Sequence, residues 1–115
     1  KFLNDVDLNQ LNQYYNNAIA LLYLSEYEGF GFPVIEAMKS GCPVIILNQS
    51  TVTELVIGSD AIQKDKDAYE INLSVLDLLD QNFRKPLILN NLKFSMRYTW
   101  DASVKSHESM YKKFL

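Results

Sequence analysis

The sequence predicts an α/β domain in which a parallel sheet with flanking helices ends in a helical tail. Three observations lead there. Two short apolar, β-prone runs, Ala20-Leu21-Leu22-Tyr23-Leu24 and Pro43-Val44-Ile45-Ile46-Leu47, are each bounded by turn residues and read as buried strands. Between them lie a glycine-containing loop and one short helix, which makes a β-loop-α-β unit. From Asp67 onward the chain carries only helical spacing.

Taken in order, Phe2-Leu3 reads as the end of a strand. Asp5 or Asp7 can cap the next helix, which carries Leu8, Leu11, Tyr14 and Tyr15 at helical spacing and ends at Asn16-Asn17. The strand from Ala20 to Leu24 delivers the chain to the glycine loop, and a helix runs from about Pro33 to Ser40. Gly41 follows as its C′ residue, and Pro43 opens the second strand. Asn48-Gln49-Ser50-Thr51 is a polar turn placed to face the same crevice as the glycine loop. A short helix over Val52–Val56 stops at Gly58, and Ala61-Ile62 reads as a last, short strand. Asp67-Ala68-Tyr69-Glu70 has capping-box spacing ahead of an apolar stripe of Ile71, Val75, Leu78 and Leu79. Another helix spans about Asn82 to Arg97, where Pro86 is tolerable only in the first turn. Asp101 is placed to cap a final helix carrying Val104, Met110, Tyr111 and Phe114. No repeat, low-complexity tract or linker divides residues 1–115, which read as a single domain.

Composition removes several function classes. At 48% hydrophobic and 22% charged, the 115 residues hold enough apolar material for one core. A net charge of −3 argues against general binding to nucleic-acid backbones, which wants a basic face. The single cysteine, Cys42, permits no internal disulfide and fits a reducing compartment. With one His (His107) and one Cys, neither a zinc site nor a Cys/His catalytic pair is supported. Cys42 reads as a small buried residue beside Pro43, and His107 as solvated on the last helix. No apolar run approaches the roughly 20 residues of a membrane span. Starting at Lys1 inside an apparent strand, the chain is expected to be a piece of a longer protein.

The loop Tyr27-Glu28-Gly29-Phe30-Gly31-Phe32-Pro33-Val34-Ile35-Glu36-Ala37-Met38 has a physical logic. Gly29 and Gly31 can take positive φ and lack a Cβ, so the chain can turn tightly and present N–H groups to a ligand. Pro33 suits the first turn of a helix, where its missing N–H costs nothing. The helix then points its free N–H groups and partial positive charge at the loop, a ready phosphate site. Glu28 and Glu36 frame it, and a carboxylate accepts hydrogen bonds from sugar or ribose hydroxyls. Amides for phosphate and acids for hydroxyls together suggest a nucleotide-sugar.

Glu28 and Glu36 form a Glu-x7-Glu pair around Gly-Phe-Gly-Phe-Pro-Val-Ile, which closely resembles family 4 of the retaining glycosyltransferases, of GT-B fold (glycosyl transferases group 1). Ser25-Glu26-Tyr27-Glu28-Gly29-Phe30-Gly31 is similar to that family's P-S-x-x-E-G-F-G. Glu36-Ala37-Met38 with Gly41-Cys42-Pro43-Val44 is similar to its E-A-M-A-x-G-x-P-V. Glu54 falls where the family has a Glu after the next strand, and Tyr98-Thr99-Trp100-Asp101 resembles the F-S-W-E that opens its last helix. Against these stand Ile19 where the family usually has Asp, Leu24 where it has Pro, and the segment from Asn48 to Val52 in place of a more glycine-rich loop. Contacts of that loop are therefore not carried over.

The resemblance implies the second half of a Rossmann-like C-terminal, donor-binding domain. The acceptor domain and an Arg/Lys pair for the donor diphosphate would lie outside this chain, so the piece alone would be inactive. It implies that Glu28 bonds hydroxyls of the transferred sugar and acts as the catalytic carboxylate, and that Glu36 bonds the ribose. Backbone amides around Gly29, Phe30, Gly31, Phe32, Val34 and Ile35 would hold sugar and diphosphate without cofactor or metal. A UDP- or GDP-sugar would be the donor. The acceptor would be a glycan or lipid-linked sugar of surface polysaccharide biosynthesis, and the setting cytoplasmic, with peripheral membrane association of the longer protein. Plainer readings stand beside these. Glu28 could be a solvated loop acid. Glu36 could be a helix-dipole charge worth about 0.3–1 kcal/mol, a role compatible with ribose binding. Phe30 and Phe32 read as core or loop anchors ahead of a stacking role, Ser25 as a strand end ahead of a hydrogen bond to the loop, and Glu54 equally as a surface acid or a crevice residue. The competing function is a non-catalytic module of the same fold that binds a nucleotide-sugar or a partner protein. A sheet cut midway exposes a strand edge, so self-association is also expected.

Overall fold

The computed structural model describes residues 2–48 and 51–114. Gln49 and Ser50, part of the polar turn, lie outside the described residues. The elements run α1 (Leu8–Asn17), β1 (Leu21–Tyr23), α2 (Phe32–Lys39), β2 (Val44–Leu47), α3 (Val52–Leu55), β3 (Ile62–Lys64), α4 (Ala68–Asp77), α5 (Gln81–Ser95) and α6 (Trp100–Lys112). The sheet is parallel in the order β1-β2-β3, with Leu22 opposite Ile45 and Ile46 opposite Gln63.

The central strand organises the core because all four of its residues are buried. Side chains alternate across a strand. Val44 and Ile46 accordingly pack with Tyr15, Val34, Ile35, Met38, Val52 and Val56, while Ile45 and Leu47 pack with Ile71, Leu78 and Leu87. One face is thus covered by α2 and α3, the other by α4 and the start of α5. Beyond Leu87, α5 reaches α2, and Phe94 and Tyr98 join the first cluster. This is the three-layer, partial Rossmann-like α/β arrangement expected, with a C-terminal helix.

Several boundaries differ from the sequence reading. Phe2 and Leu3 are exposed and form no strand. Asp7, not Asp5, caps α1 through a reciprocal pair: the Gln10 amide donates to Asp7 Oδ1 (2.8 Å) and the Asp7 amide to Gln10 Oε1 (3.2 Å). Of the helically spaced residues on α1, Leu11 and Tyr15 meet the core while Leu8 and Tyr14 are exposed. The last strand extends past Ile62 through Gln63 and Lys64, polar residues that an edge strand can turn to water. Asp67 caps α4, accepting from the Tyr69 and Glu70 amides, but Leu79 lies past its end and is exposed.

Two corrections concern the last helices. Asp80 caps α5, which starts one residue earlier than expected, and Pro86 lies in the second turn, outside the first turn to which a tolerable proline was expected to be confined. An interior proline costs about 3 kcal/mol because it leaves the carbonyl four residues back without a donor. That carbonyl belongs to Asn82, an exposed residue, so water can take the bond. The buried stripe Leu87, Asn91 and Ser95 holds the helix beyond it. In α6 the cap is Thr99, whose hydroxyl accepts from the Ala102 amide at 3.1 Å. Asp101 lies within the first turn, where its charge suits the helix dipole.

Candidate functional site

The loop from residue 24 to 31 leaves the carboxyl end of β1, the side on which parallel α/β sheets bind ligands. Gly31 ends it at φ 87°, ψ 43° and caps α2 with no side chain to occupy the helix amides. A Cβ at Gly31 would come within 3.0 Å of Val52 Cγ2, so packing against α3 as well as φ requires glycine there. Gly29 differs: its φ is not positive, and a Cβ would meet nothing within 4 Å. Of the amides expected to be open, that of Val34 donates to the Gly31 carbonyl at 3.0 Å. The side chains of Val34 and Ile35 belong to the core.

Each carboxylate has a tyrosine beside it. Tyr23, the last residue of β1, has its pKa raised by burial and then by the neighbouring Glu28 carboxylate. Tyr15 is pushed up to about 12, first by burial and then by the nearby charge of Glu36. The backbone of Glu28 is tied to Thr51: its amide donates to Thr51 Oγ1 at 2.9 Å, and the Thr51 hydroxyl donates to its carbonyl at 3.0 Å. Glu28 is partly buried, whereas Glu36 is exposed.

Glu28 is not among the residues that line the groove at Glu36. Glu36 lines a groove of about 500 Å³ together with Phe30, Phe32, Lys39, Tyr98 and Trp100. Phe30 and Phe32 are therefore not core residues, being 44% and 55% exposed. Their rings pack at 4.8 Å, and Phe30 meets Tyr98 edge-on at 6.2 Å, so they anchor the loop as well as wall the groove. A second depression of about 360 Å³ opens where β2 and β3 end, lined by Glu26, Leu47, Asn48, Asp65 and Lys66. Glu54 is exposed on α3, outside the lining of either. Cys42 is buried, and burial pushes its thiol pKa up, which suits packing rather than nucleophilic attack. His107 is exposed and lies 2.8 Å from the Ser103 carbonyl. Among the described residues no group of three His, Cys, Asp or Glu side chains is placed to hold a metal ion.

Tyr15, Tyr23 and Thr51 were not singled out in the sequence. Tyr15 read as part of an amphipathic stripe and Tyr23 as a strand residue. Thr51 carried a signal, as a polar residue in a turn expected to face the crevice.

The sequence that builds this loop matches a known family model. Residues 1–93 match the model described as glycosyl transferases group 1. The chain belongs to that family. The O-antigen chain mannosyltransferase B of Escherichia coli is 28% identical over 113 residues, which cover 97% of this chain and 30% of that protein. An uncharacterized glycosyltransferase of Methanocaldococcus jannaschii is 31% identical over 117 residues, covering 96% of this chain and 30% of its own length. An O-antigen chain mannosyltransferase of Salmonella typhimurium is 53% identical over 45 residues, 39% of this chain and 13% of that protein. The chain thus spans less than a third of the length of these relatives. Among its described residues no helix is long and apolar enough to cross a membrane.

Proposed function

We propose that this chain forms part of the donor site of a retaining glycosyltransferase that uses a UDP- or GDP-sugar. The observation that carries the reading is the uncapped N-terminus of α2, opened by left-handed Gly31 and bracketed by Glu28 and Glu36. Helix amides attract the diphosphate. Glu28 bonds hydroxyls of the transferred sugar, and Glu36, exposed beside the aromatic groove, bonds the ribose. The amides of Gly29, Phe30, Gly31 and Phe32 line the approach. The unfilled space at Gly29 supports it, since packing within the chain does not demand glycine there. Glu54 is left at the margin of the site.

In this reading catalysis is positioning plus stabilisation of charge on the leaving diphosphate, which also helps deprotonate the incoming hydroxyl on the same face. Helix amides and basic residues from outside this chain neutralise the phosphates, without a metal. The acceptor, a glycan or lipid-linked sugar, binds a domain outside this chain, and the longer protein works at the cytoplasmic membrane surface. Relatives named as O-antigen chain mannosyltransferases favour a mannosyl donor and surface polysaccharide as the product.

The test is an NMR titration of the labelled chain with UDP, GDP and ADP, repeated on Glu36→Ala. Shifts centred on residues 29–37 for one nucleotide, lost in the variant, are expected. Trp100, the sole tryptophan, lines the groove with Glu36 and gives a fluorescence readout of the same event. Shifts that persist in Glu36→Ala would remove that residue from the site.

A further inference from the structure

Thr51 occupies the N-cap position of α3, where a threonine hydroxyl ordinarily accepts from the amides of its own helix. Here it does not: Thr51 has helical φ −59° and ψ −24° and makes no side-chain cap bond. Its hydroxyl reaches instead to Glu28, accepting from the amide at 2.9 Å and donating to the carbonyl at 3.0 Å. Those two bonds use the hydroxyl's one proton and one of its lone pairs. They also commit both backbone polar groups of Glu28 to α3. On the other side, Tyr23 closes β1, the strand from which the Glu28 loop leaves, and the Glu28 carboxylate adds to burial in raising its pKa. Tyr23 is fixed in turn, paired with Ile46 of the central strand and packed against the core.

We propose that Thr51 and Tyr23 are positioning residues for the sugar-binding acid, Thr51 locking the Glu28 backbone to α3 and Tyr23 orienting its carboxylate from β1. This rests on the donor-site reading above. It has a consequence for the ligand: the Glu28 amide is already bonded, so the amides offered to sugar and diphosphate begin at Gly29. An acid whose backbone is already tied to α3 meets a sugar hydroxyl without first losing loop freedom.

The experiment measures binding of GDP-mannose against GDP, and UDP-glucose against UDP, by the chain and three variants. Thr51→Val keeps the side-chain shape and removes the hydroxyl, Thr51→Ser keeps the hydroxyl, and Tyr23→Phe removes only the phenol oxygen. Thr51→Val and Tyr23→Phe should each weaken the nucleotide-sugar roughly fivefold, the scale of one hydrogen bond, and leave the bare nucleotide unchanged. Thr51→Ser should restore affinity. In Glu28→Gln the Tyr23 pKa should fall toward the ordinary value of about 10 as its charged partner is lost. Equal losses for nucleotide and nucleotide-sugar would indicate general loosening of the loop and overturn the proposal. Unchanged nucleotide-sugar affinity in both Thr51→Val and Tyr23→Phe would also overturn it. If the sugar adds nothing to nucleotide binding in the parent chain, Glu28 is not a sugar ligand: the positioning roles fall while the nucleotide site stands. Binding of neither compound overturns both.

Discussion

Alanine at position 31 should unfold the domain well before alanine at position 29 does, although only Phe30 separates the two glycines in the same loop. At Gly31 the backbone is left-handed, at φ 87° and ψ 43°. That conformation costs a residue with a Cβ about 1–2 kcal/mol. The added methyl would also stand 3.0 Å from Val52 Cγ2, 3.4 Å from Val52 Cγ1 and 3.6 Å from Leu55 Cδ2. Val52 is buried within the core and cannot swing into solvent, so overpacking adds about 1 kcal/mol or more. Gly31→Ala should therefore lose about 2–3 kcal/mol, or roughly 6–15 °C in Tm for a domain of this length. At Gly29 there is open space and no positive φ, and alanine should stay within about 0.5 kcal/mol of the parent. Thermal and urea unfolding followed by circular dichroism read both. A Gly31→Ala chain melting within about 2 °C of the parent would refute the steric and conformational argument. So would a Gly29→Ala chain as destabilised as Gly31→Ala.

Two further outcomes concern buried Tyr15 and the edge strand β1. The Tyr15 pKa stands near 12 in the folded chain against 10.0 for the free side chain. A raised tyrosine pKa means the unfolded state loses its proton first. This contribution is complete below pH ~10 and is lost as pH rises to ~12, up to about 2–3 kcal/mol. Urea melts at pH 8 and pH 11 should therefore differ less in Tyr15→Phe than in the parent, leaving the smaller part due to Tyr23; an unchanged difference would refute the assignment. The second outcome concerns β1, an edge strand in the described sheet, with Leu22 exposed on it. Light scattering should show concentration-dependent association that Leu22→Lys reduces, because a charge on an edge strand blocks strand pairing. A clean monomer at high concentration would rule this out.

The strands flanking the glycine loop were legible because β2 is apolar throughout and buried throughout, so composition and environment agree. β3 was half legible: Ile62 carried the signal, whereas Gln63 and Lys64 are polar residues on an edge strand and resemble a loop in any hydropathy reading. The condition that Pro86 is tolerable only in a first turn failed because it is a local rule without tertiary context. Leu87, Asn91 and Ser95 bury a stripe that carries the helix past the lost hydrogen bond. At the site, Glu28, Gly31 and Glu36 could be read directly, since spacing along one loop and one helix turn is local information. The residues acting on them could not. Thr51 meets Glu28 across 23 positions, and Tyr15 meets Glu36 only because α1 packs beside α2 against β2. The groove was illegible for the same reason, since Trp100 and Tyr98 meet Phe30, Phe32 and Glu36 only in the folded chain.

The last helix raises a different physical question, about when it is ordered. Helix α6 has 13 residues and buries none of them. A helix of that length draws little from its own hydrogen bonds in water, because nucleation is costly and propagation barely favourable. Its Thr99 cap contributes about 1 kcal/mol. Opening α6 exposes almost no core, so it should cost much less than opening β2, whose release requires disruption of both buried clusters. The chain then contains two nearly independent equilibria: a cooperative one for the sheet and the helices packed on it, and a shallow one for the terminal helix. Trp100 sits at the joint between them, on the first turn of α6 and on the wall of the groove.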